Sequence, residues 1–564
     1  MYKKFLSIIS SLLLLIIIIP NDALGFNQTY ETNQREIVVP SKKTTQYPFP
    51  WDKPGRLSPV LHPGSASGAG MREEPLQEID SVMEGMIENG TMPGAVTLVA
   101  RRGHIVQHKA YGHSYLYKDD RFTEAEEPIQ MKRDTIFDLA SISKIFTTTA
   151  AMKLYEEGLF DLDDPVAAYL PEFAHNGKEE VTIRQLMTHT SGFAPSAPVY
   201  DVEGDRETKL QYVLRYPLAN TPGTTYTYSD LNMITLGVLI ERLSGLRQDE
   251  YVKEAIIEPL GMTDTMYNPP AYLKERIAAT EFQPWTGRGI VWGTVHDEKA
   301  WALEGVAGHT GVFSTAYDLA KLAHMYVNKG SYGGKQILKP STIELLTENQ
   351  LPNFPGDDHG LGWELNQMWY MDGLTDKATM GHTGYTGTSI VVSPNNGTIA
   401  ILLTNRVHPT RNTVSTNPAR RQLAQQVADA IPVAMPSKKT KAWFSGYGSN
   451  IDHQLTTTVS LKKDALLSFQ AWYRTEENAD IGYVEVSNDG DHWSTVLTYT
   501  GNSRDWETDH VVIPKDTTHI RIRYQTDTYY NGRGIYITNT SLSYASGLKE
   551  WIQWNADGWI ERNY

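Results

Sequence analysis

Residues 134–157 read DTIFDLASISKIFTTTAAMKLYEE and place a serine where a helix begins. The run from Ile142 to Glu157 predicts the helix, and Ser141 opens it. Residues three apart share one face of a helix, so the Ser141 hydroxyl and the Lys144 amine can meet. A buried amine loses proton affinity and can then accept the serine proton. The stretch therefore makes Ser141 a candidate nucleophile and Lys144 its candidate base.

The same Ser-x-x-Lys spacing occurs at Ser460/Lys463 and Ser546/Lys549, in a part of the chain with a strand-like pattern. No helix is predicted after either pair. Spacing alone therefore leaves a chance match open, and only at Ser141 does it coincide with a long helical run.

Two further segments have patterns suited to a site. Residues 226–232 read YTYSDLN ahead of an apolar helix, and Tyr228 is a candidate general acid or base because a nearby lysine eases its ionisation. The alternative for this segment is a packed aromatic turn. Residues 381–387 read GHTGYTG, where glycines let the backbone approach a ligand and offer an N–H to an oxyanion.

Two shorter segments contain histidines that we interpret as structural. Residues 188–192 read THTSG, which is typical of a helix end. Residues 308–311 read GHTG and lead into a helix through Ser314 and Thr315, which is typical of a loop with a capping residue.

The segments around Ser141, Tyr228 and His382 together resemble the motifs of the serine β-lactamase and penicillin-binding-protein superfamily. Their order and wide spacing look most like the class C branch, which uses Ser-x-x-Lys, Tyr-x-Asn and Lys-Thr-Gly or His-Thr-Gly. The similarity runs from about residue 87 to residue 431 and also covers the two histidine segments.

The resemblance implies a role for each matching residue. Ser141 would attack a carbonyl and form an acyl-enzyme, with Lys144 and Tyr228 sharing the proton transfers. The backbone N–H groups of Ser141 and Tyr385 would form the oxyanion hole. Further substrate-binding positions implied in this way are Asp230, His382, Thr383 and Gly384.

Two positions depart from the pattern of the branch. Asp230 stands where Asn is common, and an ionised Asp can only accept hydrogen bonds and keeps Lys144 more protonated. His382 stands where a lysine would hold a substrate carboxylate, and a mostly neutral histidine holds it less well. Both changes weaken the case for an efficient β-lactamase or a strict D-alanyl-D-alanine carboxypeptidase.

The departures fit an amidase or esterase better. The chain resembles secreted Bacillus-type enzymes, some of which cleave the N-acetylmuramyl–L-alanine amide of cell-wall fragments. We therefore expect a serine hydrolase acting on amides derived from peptidoglycan. The alternatives are a penicillin-binding D-alanyl-D-alanine carboxypeptidase or β-lactamase, an esterase of the same family, and a wall-binding protein with a degenerate catalytic domain.

The order of predicted strands and helices indicates an α+β fold with a mostly antiparallel sheet. The resemblance adds flanking helices and an all-helical subdomain. Residues 73–431 would form this hydrolase domain, and residues 432–441 a linker. Residues 442–564 alternate in short runs and hold seven of the 13 tryptophans, which predicts a separate β-sandwich resembling the jelly-roll modules of secreted bacterial proteases.

The N-terminal residues predict export. Residues 1–25 combine a basic start, an apolar run and a small-residue cleavage site, as in a secretory signal, and a retained membrane anchor is the alternative. Residues 26–72 are rich in proline and glycine and are predicted to form an extended, partly disordered arm. We expect a secreted protein, which in one interpretation is associated with the cell wall. After cleavage of the signal segment we expect no membrane span.

Composition excludes several classes. The chain has no cysteine, so disulfide scaffolds, Cys-ligated metals and thiol catalysis are ruled out. Its net charge of −15 argues against nucleic acid as a partner. No His or carboxylate group shows ligand spacing, so neither metal nor cofactor is predicted. The expected partner is a small molecule or peptidoglycan fragment, and tryptophans of the C-terminal module either contact sugars or fill its core.

Overall fold

A computed structural model describes residues 49–503 and 505–564. The predicted signal segment and the first part of the predicted arm lie outside the described residues. Within the described ranges, every helix is too short or too polar to cross a membrane.

Residues 62–431 alternate between strands and helices. The helices are α1 (Ala66–Ala69), α2 (Glu74–Glu88), α3 (Ser143–Glu156), α4 (Ile183–Met187), α5 (Arg206–Arg215), α6 (Asp230–Ser244), α7 (Gln248–Val252), α8 (Glu258–Leu260), α9 (Glu298–Ala302), α10 (Ala316–Val327), α11 (Pro340–Thr347), α12 (Met368–Met371) and α13 (Asn417–Asp429). The strands are β1 (His62–Pro63), β2 (Gly94–Arg101), β3 (His104–Tyr117), β4 (Glu124–Gln130), β5 (Phe137–Asp138), β6 (Met266–Tyr267), β7 (Phe282–Gln283), β8 (Gly289–Ile290), β9 (Val312–Ser314), β10 (Ser331–Tyr332), β11 (Lys335–Gln336), β12 (Glu364–Leu365), β13 (Met380–Thr383), β14 (Ser389–Ser393) and β15 (Thr398–Thr404).

One eight-stranded sheet organises this part of the chain. Its order is β1-β3-β2-β15-β14-β13-β12, with β4 added beside β3. All pairs are antiparallel except β1 with β3. The α+β prediction with a mostly antiparallel sheet is confirmed.

Helices cover both faces of the sheet, because alternate side chains of a strand point to opposite faces. On β2, Val96 and Leu98 join an apolar cluster with α3, α6 and α10. Ala95 and Val99 join a second cluster with α2 and α13. Burial on both faces explains why all residues of β2 and β15 are buried.

The described part of the predicted arm packs against the sheet, whereas the sequence predicted an extended, partly disordered segment over residues 26–72. Trp51 is buried, and its backbone N–H donates to Pro432 O at 2.6 Å. The buried guanidinium of Arg101 donates to Gly70 O at 2.8 Å and Pro50 O at 3.2 Å. Apolar anchors and one buried arginine therefore hold residues 49–72 against the sheet, despite their proline- and glycine-rich composition.

Residues 442–564 form two antiparallel sheets. The strands are β16 (Ala442–Phe444), β17 (Asp452–Thr458), β18 (Ala465–Arg474), β19 (Ile481–Ser487), β20 (Ser494–Tyr499), β21 (Glu507–Ile513), β22 (His519–Gln525), β23 (Gly534–Tyr544), β24 (Lys549–Trp551), β25 (Asn555–Asp557) and β26 (Ile560–Arg562). One sheet runs β21-β18-β23-β16-β26 with β24 beside β23, and the other runs β20-β19-β22-β17-β25. Their facing side chains share an apolar cluster.

This C-terminal module is not separate from the rest of the chain. Phe444, Trp472 and Tyr536 belong to the same apolar cluster as α2 and α13. The tract 432–441, expected to be a linker, packs as well: Trp506 Nε1 donates to Ala434 O at 2.6 Å. Most of the module's tryptophans are buried or half-buried, and Trp551 is an exposed exception.

Candidate active site

Ser141 lies in a short 3₁₀ turn, Ala140–Ile142, that leads directly into α3. The preceding residue, Ala140, has φ of 48°, a left-handed conformation that is costly for a residue with a side chain. The buried carboxylate of Asp138 fixes this turn. It accepts from the backbone N–H of Ala140 at 2.8 Å and from that of His296 at 2.7 Å. Burial raises the pKa of Asp138, and these two backbone N–H groups oppose that shift. Together the two hydrogen bonds hold the strained backbone that presents Ser141.

Lys144 lies one helical turn beyond Ser141, and its side chain is 0% exposed. Its ammonium donates to Ser141 Oγ at 2.9 Å, to Asp230 Oδ1 at 3.0 Å and to His309 O at 3.1 Å. Burial lowers the pKa of Lys144, and the Asp230 carboxylate opposes this effect without cancelling it. The amine therefore contacts the serine oxygen and holds its proton less tightly than a free lysine.

Asp230, the first residue of α6, is part of a chain of charges behind Lys144. Lys299 Nζ lies 3.4 Å from Asp230 Oδ2 and 2.9 Å from Asp297 Oδ2. His309 Nε2 lies 2.9 Å from Asp297 Oδ1. Burial alone would raise the pKa of Asp230, but Lys144, His309 and Lys299 lower it, so this carboxyl is ionised.

Tyr228 lies beside this pair, with Lys144 Nζ 4.9 Å from the centre of its ring. Burial first, and then the charge of Asp230, raise the pKa of Tyr228 well above its usual value. Burial and the carboxylate therefore oppose the ionisation of Tyr228 that the sequence led us to expect beside a lysine. Tyr228 keeps its proton and is a hydrogen-bond donor at neutral pH.

His382 is a buried residue of β13. Its Nδ1 donates to Thr383 O at 2.8 Å, and its Nε2 has no partner in the described part of the chain. Burial, reinforced by the positive charge of Lys144, lowers the pKa of His382 to about 3. Its ring lies 6.0 Å from that of Tyr228. His382 is therefore a neutral ring behind Tyr228 and does not line the cavity described below.

Gly384 follows β13 and lies against the turn that contains Ser141. A side chain at Gly384 would place its Cβ 2.4 Å from Leu139 O, which is too close for any atom. Beyond it, Tyr385 is 50% exposed, and its backbone N–H has no acceptor within residues 49–503 and 505–564. The absent side chain lets the loop after β13 approach Ser141 with a free N–H.

A cavity of about 470 Å³ opens in front of Ser141. The residues that line it are Ser141, Tyr228, Glu364, Trp369, Thr383, Gly384, Tyr385, Arg406, Thr413, Ser415, Thr416, Asn417 and Arg420. The fold thus brings five of the sequence-predicted residues to one surface, with Lys144 and Asp230 beneath it.

Three charged residues of this cavity were missed from the sequence. Burial raises the pKa of Glu364 to about 7. Arg406 donates to Thr413 Oγ1 at 3.3 Å and has no carboxylate partner among the described residues. Arg420 donates to Gly384 O and Thr388 O, both at 3.0 Å, and so holds the loop after β13. Of these three residues, only Arg420 had a feature in the sequence that could have pointed to it, because it lies on the apolar face of an amphipathic helix.

The two histidines interpreted as structural lie close to the site. His189 is buried, its Nδ1 accepts from Ser229 N at 3.2 Å, and its ring lies 4.6 Å from that of Tyr228. His309 uses its backbone carbonyl to accept from Lys144. A carbonyl contact depends on the path of the backbone and not on residue type, so the sequence carried no signal for it.

The chain is similar to known proteins in sequence and in fold. Residues 79–425 match the β-lactamase family. A protein of Escherichia coli (strain K12) named "Putative D-alanyl-D-alanine carboxypeptidase" is 34% identical over 382 residues, covering 62% of this chain and 86% of that protein. A protein of the same name from Salmonella agona (strain SL483) is also 34% identical and is covered to 87%.

Two solved structures share the fold. EstCE1, a hydrolase with promiscuous acyltransferase activity, has a TM-score of 0.51 at 22% identity, covering 63% of this chain and 99% of that one. A penicillin-binding-protein homologue from Caulobacter crescentus has a TM-score of 0.50 at 21% identity, covering 63% and 98%. The family match spans more than half of the chain, so this chain belongs to the β-lactamase family and is a serine hydrolase of the β-lactamase and penicillin-binding-protein superfamily.

Proposed function

We propose that this chain is an exported hydrolase that cleaves amide bonds of peptidoglycan-derived substrates through an acyl-enzyme at Ser141. The observation that carries the proposal is the 2.9 Å contact between Ser141 Oγ and the fully buried Lys144 Nζ at the floor of an open cavity. A serine paired with an amine of lowered pKa is an activated nucleophile.

The site supports a stepwise transfer of protons. Once the Lys144 ammonium has lost a proton, which its lowered pKa favours, the neutral amine takes the Ser141 proton as Oγ attacks the substrate carbonyl. The backbone N–H groups of Ser141 and Tyr385 receive the oxyanion, each contributing about 3–4 kcal/mol. Tyr228, which is protonated, gives its proton to the departing nitrogen and recovers one from the Lys144 ammonium. Water then attacks the acyl carbonyl, which releases the acid and restores the Ser141 hydroxyl.

Mass measurement of an acyl-type adduct tests the nucleophile. Intact protein treated with a fluorophosphonate should gain one adduct, and Ser141→Ala should gain none. Ser460→Ala is the matched control, because Ser460 has the same Ser-x-x-Lys spacing and an exposed position in the module. Labelling that survives Ser141→Ala, or is lost in Ser460→Ala, would contradict the assignment.

Two amide substrates are candidates for this site. A peptide ending in D-alanyl-D-alanine is favoured by the name of the E. coli relative and by Arg406, a cation available for a terminal carboxylate. The N-acetylmuramyl–L-alanine amide is favoured by the neutral, buried His382, which leaves no cation at the position where the branch often has lysine. Asp230, an acceptor only, also departs from the pattern of strict carboxypeptidases.

Relative turnover separates these substrates. We expect hydrolysis of N-acetylmuramyl-L-alanine or of a D-alanyl-D-alanine peptide, and slower hydrolysis of the β-lactam nitrocefin. Arg406→Gln should lower kcat/KM about tenfold on the D-alanyl-D-alanine peptide, since a charge-assisted hydrogen bond contributes roughly 1.5–3 kcal/mol. The same peptide with an amidated C-terminus is the control and should be unaffected by the substitution. Faster turnover of nitrocefin than of both amides would overturn the proposal.

Export is the remaining part of the proposal. It is supported by the basic and apolar pattern of residues 1–25 and by the absence of cysteine. Mass analysis of the protein in the culture medium should find a chain that starts after residue 25. Full-length chain retained in the cell would contradict cleavage. Binding of the purified protein to cell walls, compared with a Trp551→Ala variant, tests whether the module contacts carbohydrate.

A further inference from the structure

Three carboxylates meet at one end of the C-terminal module. Glu476 and Asp480 lie in the loop between β18 and β19, and Asp527 lies in the loop between β22 and β23. One oxygen from each side chain lies within 4.8 Å of the other two. Since β18 and β23 belong to one sheet and β19 and β22 to the other, the group joins both sheets at their connecting loops.

Two of these side chains have buried oxygens without a hydrogen bond. Asp480 is 0% exposed, and its Oδ1 accepts from the Asp527 backbone N–H at 3.2 Å. Its Oδ2 has no hydrogen bond within the described residues, although the Tyr524 hydroxyl lies near this carboxyl. Glu476 Oε2 is buried and has no hydrogen bond in the described part of the chain either. A buried carboxylate oxygen without a donor is costly, and two of them facing a third carboxylate add mutual repulsion.

No cationic side chain in the described residues neutralises this group, since no ion pair involves any of its three members. The contrast with the active site is direct. Asp230, Asp297 and His309 lie equally close together, but Lys144 and Lys299 pair with them there. Burial and the neighbouring charges raise the pKa of Asp480 to about 7, which reflects the missing counter-charge.

We propose that Glu476, Asp480 and Asp527 bind a calcium ion that joins the two sheets of the C-terminal module. Carboxylate oxygens are hard ligands, and Ca²⁺ accepts six to eight of them in irregular geometry, with water completing the shell. An irregular set of ligands from two separate loops suits Ca²⁺ better than Mg²⁺, which requires a near-ideal octahedron. The sequence predicted no metal site, because the ligands come from two loops far apart along the chain.

Calorimetric unfolding of the full-length protein tests the proposal. About 1 mM Ca²⁺ should raise the Tm of the protein by about 5 °C relative to EGTA, since a ligand that binds only the folded state stabilises it. D480N keeps the oxygen that accepts from Asp527 N but removes one charge. It should melt no lower than wild type in EGTA and lose the response to Ca²⁺.

Further variants and a second method test the same site. E476Q should also lose the response, whereas D491N, an exposed aspartate of the same module, should keep it in full. Terbium luminescence sensitised by the nearby Tyr524 should appear in wild type, fall on addition of Ca²⁺ and be absent in D480N. An unchanged wild-type Tm with Ca²⁺, or an equal response in D480N, would overturn the site. An equal response to Mg²⁺ would overturn the assignment of calcium.

Discussion

Replacing Asp138 by asparagine should destabilise the fold and slow catalysis, although Asp138 does not touch the cavity. Its carboxylate accepts from the backbone N–H groups of Ala140 and His296 at 2.8 and 2.7 Å. Asparagine offers one oxygen and one NH₂ group, so one of the two buried N–H groups loses its acceptor. Each charge-assisted hydrogen bond contributes about 1.5–3 kcal/mol. We expect Asp138→Asn to lose about 2–3 kcal/mol of unfolding free energy.

The catalytic effect follows from the strained turn. Without the Asp138 carboxylate, Ala140 can relax from its φ of 48°, and the Ser141 hydroxyl moves with it. A displacement of about 1 Å at a reacting atom can cost roughly 100-fold in rate. KM should change little, because Asp138 lies outside the cavity, and the loss should appear in kcat.

The assay combines denaturant unfolding, followed by tryptophan fluorescence, with kinetics on the best amide substrate. Asp134→Asn is the matched control, since Asp134 is an exposed residue just ahead of the same turn. It should change the unfolding free energy by less than about 0.5 kcal/mol. Wild-type stability and kcat in Asp138→Asn would refute the reasoning, and a loss confined to KM would refute the positioning role.

Three further predictions concern charges at the site. Lys144→Met keeps the volume of the side chain and removes the amine. It should slow fluorophosphonate labelling about 100- to 10,000-fold, which is the usual contribution of a general base. A labelling rate within about tenfold of wild type would contradict that role. Asp230→Asn should move the acid limb of the kcat/KM profile to lower pH, because loss of the anion lowers the pKa of Lys144, and a move to higher pH would be inconsistent with it. Glu364 becomes ionised as the pH rises through about 7, so KM for a carboxylate-bearing substrate should rise over that interval, whereas Glu364→Gln should give a flat KM.

The parts of the site that could be predicted from sequence are those set by local geometry. The contact between Ser141 and Lys144 depends on residues three apart at the start of a helix, and a sequence pattern reports it directly. Glycines at 381 and 384 lie where neighbouring atoms leave no room for a side chain. Such positions restrict residue type strongly, so they form recognisable motifs.

The charges around the site depend instead on tertiary structure. Lys299 and Asp297 reach Asp230 from α9 and the residue before it, and Glu364 enters the cavity from the edge strand β12. No local pattern connects these positions. The protonation state of Tyr228 could not be predicted for the same reason, since it depends on burial and on a carboxylate set by the whole fold.

Composition also misled the interpretation of residues 49–72. An average rich in proline and glycine conceals single apolar anchors such as the buried Trp51, which acts together with the buried Arg101. The ring of Trp51 lies 4.6 Å from the guanidinium carbon of Arg533 and 5.3 Å from that of Arg474, both in the C-terminal module.

The position of Trp51 limits how the C-terminal module can be removed from this chain or attached to another protein. Trp51 of the arm packs between the hydrolase domain and the C-terminal module. The buried guanidinium of Arg533 also connects these two parts, because it donates to Ile431 O at 3.0 Å. Deleting the module would expose Trp51 and the outer side of α13 together, and grafting the module elsewhere would leave Arg533 without its acceptor. The C-terminal module is therefore not a unit that could be moved to another protein on its own. In a new position it would keep an interface that the arm and α13 complete in this chain.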